Sequence, residues 1–113
     1  MDKIYYRSLL FDFYSELLTE KQRDILGLYL QEDLSLGEIA EQRGISRQGV
    51  SDAIHRGIEL MEQMEEKLHL TETFLRAGES IRLLESGILA DETKEQLLEK
   101  VRQLKEIITV REA

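Results

Sequence analysis

A chain of 113 residues has room for one domain, or for one small domain with a helical extension. It is 42% hydrophobic, only 6% aromatic and free of Pro, and rich in Leu, Glu, Ile and Arg, with Gln and Lys also present, so its composition favours an all-α fold. Without Cys there is no disulfide framework, thiolate zinc site or cysteine nucleophile, and the formal net charge of −8 opposes non-specific attraction to phosphate backbones. The charge is uneven: residues 1–70 carry 8 basic and 14 acidic side chains, residues 71–113 carry 7 and 9. No apolar run approaches the roughly 18 residues of a membrane helix and no signal peptide opens the chain, so the expected setting is cytoplasmic, without membrane insertion.

In chain order, Tyr6, Leu9, Leu10, Phe13, Tyr14 and Leu17 recur at helical spacing and predict a first helix from about Asp2 to Leu18. Thr19 stands three residues before Gln22, a capping-box pattern that opens a second helix reaching about Glu32. Ile25, Leu26, Leu28 and Tyr29 form its apolar side. Ser35 and Glu38 repeat the pattern and start a short helix over Leu36–Arg43, which Gly44 ends with a tight turn. Ser46 caps the next helix. From Val50 the apolar spacing is heptad-like through Ile54, Gly57, Met61, Met64 and Leu68, and a second series runs Leu70, Phe74, Ala77, Ile81, Leu84, Ile88. The two are out of phase, which predicts a break near His69–Thr71. Gly87 reads as a helix end, and Asp91 as the cap of a last helix presenting Leu97, Val101, Leu104 and Ile108. The expected organisation is a helix-turn-helix domain over 1–69, followed by a helical hairpin over 70–113 packed on it or on a partner chain.

The segment from Leu36 to Val50 has the spacing of a helix-turn-helix. Ala40 stands where two helices cross closely, Gly44 takes the turn, and Ile39, Ile45 and Val50 fill the wedge between the helices. In such units the second helix enters the major groove by its N-terminal part. That part offers Arg47, Gln48, Ser51, Asp52 and His55, with Arg56 one turn on, as candidate nucleic-acid contacts. Arg pairs bidentately with guanine and Gln with adenine, whereas Asp52 either pairs with Arg56 or accepts from a cytosine amine.

Other features read more simply. His55 and Glu59 form a weak surface pair rather than a metal site, and His69 is a helix-end or core residue rather than a catalytic base. Met61 and Met64 fill core gaps. Gly27, Gly49, Gly57 and Gly78 mark close helix approach, with a hinge as the alternative at Gly57, and Glu59, Glu62, Glu65 and Glu66 form a solvated face or meet a basic partner. No nucleophile–base set, phosphate loop or metal cluster is visible, so neither an enzyme nor a cofactor is expected.

The run from Leu18 resembles the fourth region of bacterial sigma factors. More closely, and over nearly its full length, the chain resembles the YlxM family of helix-turn-helix proteins. The residues that carry the resemblance are Phe11-Asp-Phe-Tyr14, Leu18-Thr-Glu-Lys-Gln22, Leu28 through Glu41, Gly44-Ile-Ser-Arg-Gln-Gly-Val50 and Glu66-Lys-Leu-His-Leu70. What the resemblance implies is a regulatory or accessory role in the signal recognition particle pathway. Two functions are therefore expected to compete. One is a regulator that binds nucleic acid, DNA rather than RNA; the other is an adaptor that docks on the signal recognition particle or its GTPase. Paired half-sites and the two apolar stripes after Leu70 predict a homodimer, with Leu84, Leu97, Val101 and Leu104 at its interface.

Overall fold

The computed structural model describes residues 2–109. Six α-helices follow one another: α1 (Lys3–Tyr14), α2 (Glu20–Leu30), α3 (Leu36–Arg43), α4 (Arg47–Leu68), α5 (Leu70–Leu89) and α6 (Lys94–Ile108). They fall into two units that meet between His69 and Leu70.

Local chemistry sets the helix ends of the first unit. The Asp2 side chain accepts from the Ile4 N–H at the start of α1. This helix stops at Tyr14, short of the expected Leu18, because Thr19 must be extended to cap α2 and the chain leaves through a 3-10 turn at Ser15–Leu17. Arg23 donates to the carbonyls of Ser15 and Leu18, tying α2 to this turn, which the Leu18 N–H closes on the Ser15 carbonyl. Leu17 is consequently exposed and Leu18 takes the buried place. The reciprocal capping boxes Thr19/Gln22 and Ser35/Glu38 are both formed, as the spacing predicted. Helix α3 ends on Gly44 at φ 66°, and the Ile45 N–H reaches back to the Ala40 carbonyl at 3.2 Å.

Helix α4 is the common wall of this unit. Val50, Ile54, Ile58 and Met61 are buried along it, in one core with Leu10, Phe11 and Tyr14 of α1, Ile25 and Leu26 of α2, and Ile39 and Ala40 of α3. Gly57 is the point of closest approach. A Cβ there would lie well inside contact distance of Leu26 Cδ1 and 3.2 Å from its Cγ. By contrast, Gly78 has nothing near its would-be Cβ, so close approach does not explain that glycine. Glu65 departs from the solvated face expected of it. It is buried, and the Tyr14 hydroxyl donates to its carboxylate at 2.6 Å. Placed one turn after Met61, Glu65 falls on the core side of α4, while Glu59, Glu62 and Glu66 remain exposed. At His69 the backbone turns left-handed (φ 55°), and this single residue breaks α4 from α5.

The second unit is the hairpin of α5 and α6. Gly87 does not end α5, which continues to Leu89; the terminating residue is Asp91, left-handed at φ 56°. The Glu92 and Asp91 N–H groups donate back to the Gly87 and Ile88 carbonyls, the paired bonds of a Schellman turn. A left-handed residue has the wrong backbone for a helix N-cap, so Thr93 caps α6 in a third capping box with Gln96, and Asp91 does not. The buried positions described in α5 are Thr71, Ser80 and Gly87, and α6 has none; Leu84, Leu97, Val101 and Leu104 are half-buried.

The crossing at Gly57 makes a sign-reversing prediction. Gly57→Ala alone should lose about 1–2 kcal/mol, because overpacking against the buried Leu26 outweighs the better helix propensity of Ala. In a Leu26→Ala background the same change should gain up to about 1 kcal/mol. Denaturant melts of the four proteins check it, and destabilisation by Gly57→Ala in both backgrounds would contradict the contact.

Candidate nucleic-acid interface

The wedge residues of the helix-turn-helix lie as follows. Ile39 and Val50 are fully buried, Ala40 nearly so, Ile45 is half-buried beside the core, and Gly44 holds the exposed left-handed turn. Ser46 accepts from the Gly49 N–H and starts α4. The first turns of α4 are therefore held at a set angle to α3.

On the outer surface of α4, Gln48, Asp52 and His55 follow each other in one exposed line. Gln48 donates its amide to Asp52 Oδ1 at 2.9 Å, so the partner of Asp52 is Gln48 and not Arg56. His55 turns Nδ1 to the Ser51 carbonyl at 2.8 Å, a contact that leaves Nε2 as the outer ring nitrogen, and it forms no ion pair with Glu59. Ser51 is half-buried behind this line. The two arginines flank it on opposite sides. Arg47 lies over Gly37 of α3, and Arg56 borders a groove shared with Gln22 of α2. The six residues thus form one continuous surface, but not one cluster of convergent donors.

The electrostatics are mixed. Asp52 sits between the arginines, and the exposed Glu59, Glu62 and Glu66 carry the same line down the helix. Arg43, at the end of α3, does not add to the cationic side. Its guanidinium grips Asp24 of α2 through two hydrogen bonds, at 2.6 and 2.8 Å. That hydrogen bonding holds the Asp24 carboxyl below the usual carboxylate range and raises Arg43. Glu38 is likewise lowered by its capping bonds with the backbone and side chain of Ser35. Neither the Asp24–Arg43 clamp nor the seat at Gly37 was visible in the sequence. The first links residues 19 apart on two helices; the second had only a weak mark, a glycine inside a short helix. Among the described residues there is no group of His, Cys, Asp and Glu able to hold a metal ion, and no helix is long and apolar enough to cross a membrane.

Residues 1–109 match the family model UPF0122, described as "Putative helix-turn-helix protein, YlxM / p13 like". A UPF0122 protein of Acetivibrio thermocellus is 58% identical over 76 residues, covering 67% of this chain and just under two thirds (65%) of that protein. Another, from Halalkalibacterium halodurans, is 42% identical over 92% of this chain and 95% of its own length. A third, from Oceanobacillus iheyensis, is 43% identical over 95% and 98% respectively.

The Asp24–Arg43 clamp sets a pH dependence. Because the folded-state pKa of Asp24 is lowered, its contribution is complete above the ordinary carboxylate pKa and is lost as pH falls through the folded value. Both side chains are about 40% exposed (39% and 42%), so solvent screening keeps the contribution small. Asp24→Asn should therefore lower stability slightly at pH 7 and make no difference near pH 2. Parallel melts at the two pH values check this; an equal loss at both would assign the effect to packing.

Proposed function

The chain belongs to this YlxM/p13-like family of helix-turn-helix proteins, and on that premise we propose that it is a regulatory protein that binds duplex DNA through the first turns of α4. The single observation that carries this reading is the wedge of Ile39, Ala40, Ile45 and Val50. It leaves Arg47, Gln48, Asp52, His55 and Arg56 on the exposed side of α4, where a recognition helix meets a groove. Ser51 supports the line from behind. The signal recognition particle pathway is carried over from the resemblance alone.

A second reading has its own observation. The acidic line of Asp52, Glu59, Glu62 and Glu66 suits a basic protein surface better than a phosphate backbone. In that reading the protein is an adaptor docking on the signal recognition particle or its GTPase.

The hairpin bears on assembly. A pair of helices whose apolar stripes stay half-buried gains most by meeting the same surface of a second copy, and two-fold pairs are the commonest oligomers. We take the protein to act as a homodimer through residues after Leu70, with Leu84, Leu97, Val101 and Leu104 in the contact.

Fluorescence anisotropy with a labelled duplex tests the main reading. With Arg47 and Arg56 as the cationic contacts, log affinity should fall against log salt with a slope of about −2 per chain, or about −4 for a two-fold dimer. Arg47→Ala with Arg56→Ala should remove most of that slope. Absence of duplex binding at low salt, with capture of a basic partner retained, would move the function to the adaptor. Sedimentation should show a dimer at tens of micromolar for the full chain and a monomer for Leu97→Glu with Val101→Glu; a monomeric wild type would overturn the dimer.

A further inference from the structure

Glycine is a poor helix former, and Gly37 lies in the first turn of α3 with no evident backbone reason to be glycine. Its φ is not positive; Gly44 is the glycine with that conformation among the described residues. What lies over it is one group: a Cβ at Gly37 would stand 3.1 Å from Arg47 Nη2, 3.3 Å from Nε and 3.5 Å from Cζ. Nη2 and Nε both lie nearer than Cζ, so the guanidinium turns its Nε–Nη2 edge to the bare surface of α3.

Arg47 has no ion-pair partner among the described residues, although carboxylates are abundant in this chain. Its head is therefore seated by shape and not by a countercharge, and no carboxylate competes with an incoming anion for it.

We propose that Gly37 is a positioning residue, whose missing side chain seats the Arg47 guanidinium against α3 so that it meets a backbone phosphate of the bound nucleic acid. The reason for phosphate is geometric. In helix-turn-helix docking the first helix of the motif crosses the sugar-phosphate backbone while the second enters the groove. A guanidinium drawn back from α4 onto α3 belongs to the backbone side of that division. Base reading then falls to the outer line of Gln48, Asp52 and His55. This inference rests on the proposed nucleic-acid binding and adds to it the role of Arg47 and the residue that enforces it.

The steric consequence is graded. Ala at position 37 requires the guanidinium to give by a few tenths of an ångström, which a flexible side chain tolerates. A Leu fills the seat and expels it. Two measurements on the full chain test this. In the free protein, 15N relaxation of the Arg47 Nε–H should report an ordered side chain in wild type and a mobile one in Gly37→Leu. In duplex binding, Gly37→Leu should weaken affinity as much as Arg47→Ala does, about eightfold at roughly 0.1 M salt, with the salt slope shallower by about 0.9, the value of one phosphate contact. The loss should be the same for duplexes of different sequence, and Gly37→Leu should add nothing in an Arg47→Ala background. Gly37→Ala should melt no lower than wild type, since Ala is the better helix former, and lose little affinity.

An Arg47 equally mobile in wild type and Gly37→Leu would overturn the seat. A loss confined to one duplex sequence would overturn the phosphate assignment and make Arg47 a base reader. Wild-type binding unaffected by Gly37→Leu overturns this inference alone. Absence of duplex binding by wild type overturns it together with the proposed function.

Discussion

The close crossing of α2 and α4 at Gly57 is the constraint on which the first unit rests. Helix α4 serves three neighbours at once: α1 through Tyr14 and Glu65, α2 through Leu26, and α3 through the Ile39–Val50 wedge. A side chain at position 57 would push α2 outward and, through the Asp24–Arg43 clamp, disturb α3 as well. The interface on α4 is thus fixed from behind by a core spread along several turns. Its outer residues need only be displayed. That separation lets so small a unit display an outer surface on a helix that is packed from behind.

The same surface carries opposing electrostatic demands. Asp52 lies between Arg47 and Arg56, and three glutamates continue its line away from the turn. In a protein of net charge −8 such an arrangement gives little long-range attraction to phosphate. On the proposed function, affinity for nucleic acid has to come from a few well-placed contacts, and the seating of one guanidinium then matters more than it would in a basic DNA-binding domain. Burying Glu65 removes a carboxylate from the outer line and turns it into a hydrogen-bond acceptor for Tyr14. Acidic spacing along a helix does not by itself say which side faces water.

Much of this was legible in the sequence because it is local. The Thr19/Gln22 and Ser35/Glu38 boxes, the Ser46 cap, the left-handed Gly44 and the glycine in the α4 stripe each follow from residues within a turn or two of one another. Errors came where two local signals competed, or where the deciding partner was distant. Gly87 looked like a helix end, yet Asp91 takes the left-handed position and the Thr93/Gln96 box is the stronger start. Leu17 fitted the periodicity of α1, but the demand for an extended Thr19 cut that helix short. Glu65 meets Tyr14 across 51 residues, and Arg47 meets Gly37 across a turn whose angle no periodicity specifies. At the candidate site, sequence supplied the roster of residues and the fold supplied their division into a seated arginine, a bonded Gln48–Asp52 pair and an outward imidazole.

On the proposed function, α4 presents its first turns to nucleic acid. Backbone amide NMR of the full chain, titrated with a short duplex at low salt, tests it most directly. Shifts should concentrate at Gly37 and at the outer residues Arg47, Gln48, Asp52, His55 and Arg56, with the buried line of Val50, Ile54, Ile58 and Met61 and the hairpin of α5 and α6 little changed. Shifts confined to Glu59, Glu62 and Glu66 on addition of a basic protein partner, with none from the duplex, would contradict it.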